Sequence, residues 1–117
     1  MARSPFEHGD LIQPDRVDDL IDQMTPPVEA MLALLEPGEF TTTQFIEAFQ
    51  EWPEGKVAYE EAIRYWGEKN VNMSRMVIDG QVIPGILRRQ ANVEWLGFAH
   101  GEPGPFAIPA WWRLGSS

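Results

Sequence analysis

The sequence predicts an α+β fold that is mostly helical and ends in a C-terminal β-hairpin. Apolar residues recur at helical spacing between residues 17 and 66, whereas residues 106–114 alternate with a period of two. A turn-forming segment, residues 100–104, separates this last run from another strand-like run. A chain of 117 residues that is 44% hydrophobic and 23% charged is long enough for one domain with a sizeable core.

The first helical pattern begins at Pro14, a residue suited to the first position of a helix. Three aspartates follow within residues 15–19, where the positive end of the helix dipole favours carboxylates. The apolar stripe of this helix consists of Val17, Leu20, Ile21 and Met24. Because prolines lack the N–H groups that continue a helix, Pro26-Pro27 predicts its end. A second helix, over residues 28–35, is predicted to stop at Pro37-Gly38.

A capping box and a hydrophobic staple mark the start of the next helix. Thr41 and Gln44 have the N-cap and N3 spacing, and Phe40 and Phe45 have the spacing of the staple. The helix is predicted to end within residues 53–55. Its inward-facing side chains are predicted to be Phe45, Ile46, Phe49 and Trp52.

The chain between this helix and the last strands contains one clear helix and one ambiguous segment. Residues 56–69 are predicted to be helical, with an apolar face at Tyr59, Ala62, Ile63 and Trp66. Residues 71–83 fit two short strands around a type I′ turn at Asp79-Gly80. They fit equally a turn at that dipeptide which introduces a short helix with Pro84 in its first turn. In both interpretations a short helix over residues 84–91 presents Arg88, Arg89 and Gln90.

The end of the chain is predicted to form the hairpin. Residues 93–98 mix β-branched and aromatic side chains, and the final run alternates. Because a proline cannot donate a ladder hydrogen bond, Pro105 and Pro109 predict that the last strand is an edge or a hairpin arm. Adjacent residues of a strand point to opposite faces. We therefore expect Trp112 to pack on the helices and Trp111 to be exposed as a contact for a partner or a dimer.

Charge is distributed unevenly along the chain, whose net charge is −9. Residues 1–70 carry fifteen acidic and five basic side chains, whereas residues 71–117 carry three acidic and four basic ones. An acidic chain repels phosphate backbones and anionic lipids. We therefore expect no membrane contact, and any binding to a polyanion is predicted to use residues 71–117.

Several classes of protein are excluded by composition. Cysteine is absent, which excludes disulfides, thiolate metal sites and thiol nucleophiles. The longest apolar run, residues 30–35, falls short of the roughly 20 residues that span a bilayer. Without the apolar stretch of a signal peptide, a cytoplasmic location is expected. Residues 1–13 are interpreted as a flexible lead-in, residues 14–114 as a single domain and residues 115–117 as a tail.

The order of elements carries a resemblance to a known family. Helices are followed by a short helix with two arginines, and then by a hairpin. The stretches concerned are Phe40-Thr-Thr-Thr43 through Phe49, Val82-Ile-Pro-Gly-Ile-Leu-Arg-Arg89, Trp95-Leu-Gly-Phe98, Gly101 to Gly104 and Ala110-Trp-Trp-Arg-Leu114. In this order residues 28–114 resemble a winged helix-turn-helix domain of the kind found in small phage and mobile-element proteins. The resemblance makes residues 82–89 the recognition helix and residues 95–114 the wing, and it places a short strand before the capped helix. The chain departs from it in the long connection between Trp66 and Val82, and in Pro84-Gly85 within the recognition helix.

Binding to duplex DNA is what this resemblance implies. The recognition helix would enter the major groove, and the wing would reach a flanking groove or phosphates. Arg88, Arg89 and Gln90 would then face the DNA, since arginine pairs with guanine and glutamine with adenine. The candidate phosphate contacts are Arg75, His100 and Arg113. The alternative is that Arg88 and Arg89 form a solvated helix face, with one of them paired to Glu94.

Three further groups of side chains each have a simple structural interpretation beside a functional one. The first group is the aspartates of the first helix, Asp15, Asp18, Asp19 and Asp22. For these residues a solvated helix face is favoured over two functional interpretations, a calcium or magnesium site and a surface that mimics DNA. A surface turn is favoured for His100 over a general base beside Glu102, because no nucleophile motif accompanies it. A base-stacking platform for single strands is the third candidate, and its residues are Trp95, Phe98, Phe106, Trp111, Trp112 and Arg113.

Two hypotheses of function remain, and neither is enzymatic, since the sequence predicts no catalytic residue, metal site or cofactor. The leading one is a small DNA-associated accessory or regulatory protein that binds duplex DNA through its C-terminal helix and hairpin. The alternative is an acidic protein–protein interaction module, for a phage or host factor or as a DNA mimic, that makes no DNA contact. A homodimer is compatible with both. The arginines favour the first hypothesis, and the net charge of −9 favours the second.

Overall fold

The fold is α+β and mostly helical, with one three-stranded antiparallel sheet. The computed structural model describes residues 14–67, 71–100 and 109–115. Along the chain the elements are α1 (Pro14–Leu34), β1 (Gly38–Thr41), α2 (Thr42–Glu51), α3 (Pro53–Trp66), α4 (Val71–Val77), a π-helical segment (Ile78–Val82), α5 (Ile83–Arg89), β2 (Val93–Phe98) and β3 (Ala110–Leu114). The predicted lead-in, the wing turn at 101–104 and the start of the predicted last strand at 106–108 lie outside the described residues.

Helix α1 continues through Pro26-Pro27, so the prediction that these prolines end the helix is wrong. Pro26 and Pro27 have no N–H group to donate to the carbonyls four residues earlier, which are those of Asp22 and Gln23. Both residues are exposed, so water can replace the missing donors. On the opposite side, one uninterrupted stripe is buried, made of Leu20, Met24, Val28, Met31 and Leu32. Packing of this stripe against the rest of the core outweighs the local cost of the two prolines. No helix in the described ranges is long and apolar enough to cross a membrane.

The start of α2 has the predicted capping box. The Gln44 amide donates to Thr41 Oγ1 at 3.1 Å, and the Thr41 amide donates to Gln44 Oε1 at 2.9 Å. The rings of Phe40 and Phe45, the predicted staple, lie 5.6 Å apart. Helix α2 ends at Glu51, before the predicted residues 53–55, because Pro53 already begins α3. Helix α3 ends at Trp66 and not at residue 69, since its C-cap Gly67 has a φ of 76°, the left-handed conformation that glycine favours.

Residues 71–89 form one helical rod with a π-helical segment in its middle. The interpretation of residues 71–83 as two strands is therefore wrong, and Asp79-Gly80 lies inside the π segment instead of a turn. Pro84 occupies the first turn of α5, as predicted. The side chains of Ile78, Val82 and Ile83 are fully buried. Their burial on the core selects helix over strand in a segment whose local pattern allows both.

The last strand, β3, is the central strand of a sheet with the order β1-β3-β2. Of the two predicted alternatives, the edge is therefore wrong, and the hairpin arm is confirmed by the antiparallel pairing of β3 with β2. Pro109 lies immediately before the ladder and needs no N–H there; its carbonyl accepts from the Ala99 amide at 2.9 Å. A β-bulge between Trp95 and Gly97 interrupts the pairing of β2 with β3. Gly97 adopts a φ of 128° at this bulge, which only glycine adopts readily.

Trp112 joins the sheet to the helices. It is fully buried, and its indole nitrogen donates to Thr42 Oγ1 at 2.8 Å. The same hydroxyl accepts from the Ala110 amide at 3.0 Å, so the first residue of α2 is fastened to the central strand. Trp111, the preceding residue in the chain, is 37% exposed. The predicted alternation of these two tryptophans is confirmed.

Candidate partner-binding surface on the last helices and the hairpin

Arg113 is held by two glutamates across the outer face of the sheet. The strand register places it directly opposite Glu39 on β1 and Glu94 on β2. Its guanidinium nitrogens lie 3.1 Å from Glu39 Oε2 and 3.2 Å from Glu94 Oε1. The hydrogen bond to Glu39 and the charges of both glutamates raise the pKa of Arg113. The partner of Glu94 is therefore Arg113, and the prediction that Glu94 pairs with Arg88 or Arg89 is wrong.

Arg88 and Arg89 lie in the last turn of α5, and both side chains are exposed. Cations at this end of a helix interact favourably with its dipole. Gln90 follows as the C-cap residue and is half-buried, and its amide nitrogen donates to the Ile86 carbonyl at 3.3 Å. Of the predicted DNA-facing residues, the two arginines are thus accessible, whereas Gln90 is partly engaged by its own helix.

Arg75 lies half-buried beside a buried Asp79–Tyr59 pair. The Tyr59 hydroxyl, from α3, donates to Asp79 Oδ1 in the π segment at 2.7 Å. Burial raises the pKa of Asp79 from its ordinary 3.8 to about 6, against the opposing effects of the Tyr59 hydrogen bond and the Arg75 charge. Burial and the bond to Asp79 also raise the pKa of Tyr59. Arg75 therefore faces an internal carboxylate as well as solvent.

The raised pKa of Asp79 predicts a stability that increases on mild acidification. Because the folded state binds the proton more tightly than the unfolded chain, stability is gained as pH falls through 6 towards 3.8. The gain from this group is about 3 kcal/mol, since each unit of pKa shift corresponds to about 1.4 kcal/mol. Asp79→Asn keeps an oxygen acceptor for Tyr59 without the charge. At pH 7 we expect this variant to be about 3 kcal/mol more stable than the wild type, in urea denaturation followed by circular dichroism.

The same measurements at pH 4.5 test the assignment. There the advantage of Asp79→Asn should shrink to less than half, because the wild-type carboxyl is then largely protonated. Asp22→Asn, at an exposed position of α1 beyond the aspartates near its start, is the matched control and should follow the wild type at both pH values. A destabilised Asp79→Asn at pH 7 would show that the carboxylate is a net stabilising partner of Arg75 instead.

The exposed face of α4 and the π segment is uncharged. Met73 and Met76 are each 47% exposed, and Gly80 continues the same face at helical spacing. Methionine side chains are flexible and polarisable, and they suit surfaces that adapt to a partner. We call the exposed surface of Met73 and Met76 the methionine face. It lies on the helical rod that leads into the hairpin.

A second exposed apolar group lies on the edge strand β2. The rings of Trp95 and Phe98 meet edge to face at 5.5 Å, and the His100 ring lies 6.1 Å from Phe98. Trp95 and Phe98 are 44% and 52% exposed. Their register opposite Trp112 and Ala110 places them on the helix-facing side of the sheet, whereas Trp111 lies on the outer side. The platform residues that the structure describes are therefore divided between two faces, with Trp112 buried, and Phe106 lies outside the described residues.

The acidic residues of α1 do not converge on a site. Asp18, Asp19 and Asp22 are exposed, and Asp19 accepts a hydrogen bond from the Tyr65 hydroxyl at 2.8 Å. Among the described residues, no three acidic or histidine side chains are grouped so that they could hold a metal ion. Glu102, the predicted neighbour of His100, lies outside the described ranges.

No protein-family model, curated protein or solved structure matches this chain. Its surface chemistry therefore carries the functional argument.

Two features of this part of the molecule, one buried and one exposed, were not among the predicted site residues. The Asp79–Tyr59 pair joins residues twenty positions apart, and no local pattern indicates it. The methionine face would have been visible as Met73 and Met76 at i, i+3 spacing had the segment been predicted as helical throughout.

Proposed function

We propose that this protein is a non-enzymatic protein-binding module on a winged-helix-like frame. Support for the frame comes from the order of elements. One short strand precedes α2, and a helical rod with two arginines at its end leads into the β2–β3 hairpin. Residues 82–89, which the resemblance makes the recognition helix, are the C-terminal part of this rod.

The observation that carries the proposal is the methionine face. A helix that reads DNA in the major groove presents arginine, lysine, asparagine or glutamine to the bases and phosphates. Here the part of the rod that precedes the two arginines, α4 and the π segment, exposes Met73, Met76 and Gly80. Methionine is enriched at protein–protein interfaces, and the core of such an interface is poor in charge. A protein partner fits this face better than a polyanion does.

The electrostatics of the hairpin support the same proposal. Of the predicted phosphate contacts, Arg113 is neutralised by Glu39 and Glu94, and Arg75 lies beside the carboxylate of Asp79. The positive charge that remains exposed on this side comes from Arg88 and Arg89, within a chain of net charge −9. Such a balance disfavours the sequence-independent attraction on which DNA binding depends.

A charge placed on the methionine face tests the proposal. The measurement is affinity capture from a lysate of the source cells, quantified by mass spectrometry. We expect the double variant Met73→Glu/Met76→Glu to capture about tenfold less, or even less, of a partner protein that the wild type captures. The matched control is Val57→Glu, since Val57 is an equally exposed apolar residue on α3. Circular dichroism confirms that each variant is folded. Equal retention by the double variant would contradict the proposal.

Duplex DNA is a second candidate ligand, favoured by the exposure of both Arg88 and Arg89 at the end of the rod. A fluorescence-anisotropy titration with mixed-sequence duplex at 50 and 200 mM salt separates the two functions. Under the proposed function we expect no saturable binding even at 50 mM. If DNA is the ligand, affinity falls steeply with salt. The variant Arg88→Ala/Arg89→Ala then flattens the salt dependence by about one unit of slope for each phosphate that an arginine had neutralised.

A further inference from the structure

An open cleft of about 370 Å³ lies where the end of α1 meets the turn after α5 and the end of β3. Leu32, Leu35 and Leu114 contribute apolar surface, while Glu29, Gln90 and Asn92 contribute polar groups. A volume of this size is within the range of sites that hold a small ligand. Its lining does not include Met73, Met76, Trp95 or Phe98.

The polar groups of this cleft include several hydrogen-bond acceptors. Among the described residues, Glu29 is the one charged lining residue; it is exposed and forms no ion pair with any of them. The side-chain amide nitrogen of Gln90 donates to the Ile86 carbonyl. The side-chain amide oxygen of Gln90 can accept a hydrogen bond from a ligand.

The end of α1 adds negative potential. The last carbonyls of a helix carry its partial negative charge. The last turn of α1 contains no basic side chain to offset that charge, and only a short turn, from the Leu35 amide to the Leu32 carbonyl, closes the helix. Arg88 and Arg89, the neighbouring cations in sequence, are exposed and do not line the cleft.

We propose that this cleft binds an arginine side chain from a basic segment of a partner protein. A guanidinium offers five N–H donors and no acceptor, which matches Glu29, the Gln90 oxygen and the helix end. The methylene stem of the arginine packs on Leu32, Leu35 and Leu114. A chain of net charge −9 attracts such a segment. This partner is the same protein that the methionine face is proposed to bind, so the inference about the cleft rests on the proposed function.

A titration of the ¹⁵N-labelled full chain with the peptide acetyl-Gly-Gly-Arg-Gly-Gly-amide tests the cleft. We expect saturable amide shifts at Leu32, Leu35 and Asn92. The same peptide with citrulline, which has the shape of arginine without the charge, should bind about fivefold more weakly. Glu29→Gln should weaken the arginine peptide by a similar factor. The matched control Glu47→Gln, at an exposed acidic position on α2, should leave its affinity unchanged.

The proposal is overturned if those amides do not shift, if citrulline binds as well as arginine, or if Glu29→Gln binds like the wild type. The amide spectrum of each variant shows directly whether it is folded. Because the probe is a peptide, the result is independent of the Met73→Glu/Met76→Glu capture. Saturable peptide binding at the cleft, with no partner captured by the wild type, would count against the proposed function alone. A captured partner, with no amide shifts at the cleft, would count against arginine binding alone.

Discussion

Trp112→Ala is expected to lower the free energy of unfolding by about 3–5 kcal/mol, the usual cost of deleting a fully buried tryptophan. Trp112 fills the centre of the interface between sheet and helices. The truncation also removes the indole donor to Thr42 Oγ1. The total free energy of unfolding of a small domain is only about 5–15 kcal/mol. This is therefore the largest effect that we expect from one substitution. Urea denaturation followed by circular dichroism at 222 nm measures it.

Trp111→Ala is the matched control, because it removes the same side chain from the adjacent position. Trp111 is 37% exposed on the outer face of the sheet, and we expect a loss of about 1 kcal/mol or less. If Trp112→Ala does not fold, Trp112→Phe keeps an aromatic ring but removes the indole donor and part of the volume, at about 2 kcal/mol. Equal losses at positions 111 and 112 would contradict the central role of Trp112.

Gly55→Ala is expected to destabilise the protein by about 3 kcal/mol, although alanine normally stabilises a helix relative to glycine by roughly 0.5–1 kcal/mol. Gly55 is buried in the first turn of α3, against the backbone of α2. A Cβ atom there would collide with the Phe49 carbonyl oxygen and lie 3.1 Å from Phe49 Cδ1. A backbone oxygen cannot rotate away, so α2 and α3 would have to separate.

Gly85→Ala provides the comparison within α5. A Cβ atom at Gly85 would lie 3.3 Å from Ile21 Cδ1, which is the end of a flexible side chain. We expect a change of about 1 kcal/mol or less, of either sign, because repacking of Ile21 and the higher helix propensity of alanine oppose each other. The same denaturation experiment applies. A Gly55→Ala variant as stable as Gly85→Ala would mean that α2 and α3 are packed less closely than described.

Features that depend on residues a few positions apart could be predicted from the sequence. The Thr41–Gln44 capping box and the Phe40–Phe45 staple are examples, because each is complete within one or two helical turns. The opposite placement of Trp111 and Trp112 is another, since a strand has a strict period of two. The α+β class was predictable for the same reason, from apolar residues at helical spacing and from the final run with a period of two.

The candidate surface was predictable only in part, because its electrostatics depend on strand register. The sequence suggests the wrong arginine for Glu94, since its partner Arg113 is nineteen residues away and becomes its neighbour only when β2 pairs with β3. Glu39 completes the same ion-pair group from a strand more than seventy residues distant. The exposure of Arg88 and Arg89, by contrast, follows from their place at the end of an amphipathic helix.

By itself, the sequence determined that this protein is α+β, that α2 begins at a capped and stapled end, and that Trp112 belongs to the core. The tertiary structure decided that α1 runs through Pro26-Pro27, that residues 71–89 are helical around a π segment, and that β3 is central. Propensity and capping contribute about 1 kcal/mol per position. In residues 71–83 the local sequence pattern fits strand and helix equally. There the burial of side chains such as Ile78 and Val82 contributes more to the free energy of folding than local preferences do, and it selects the helix.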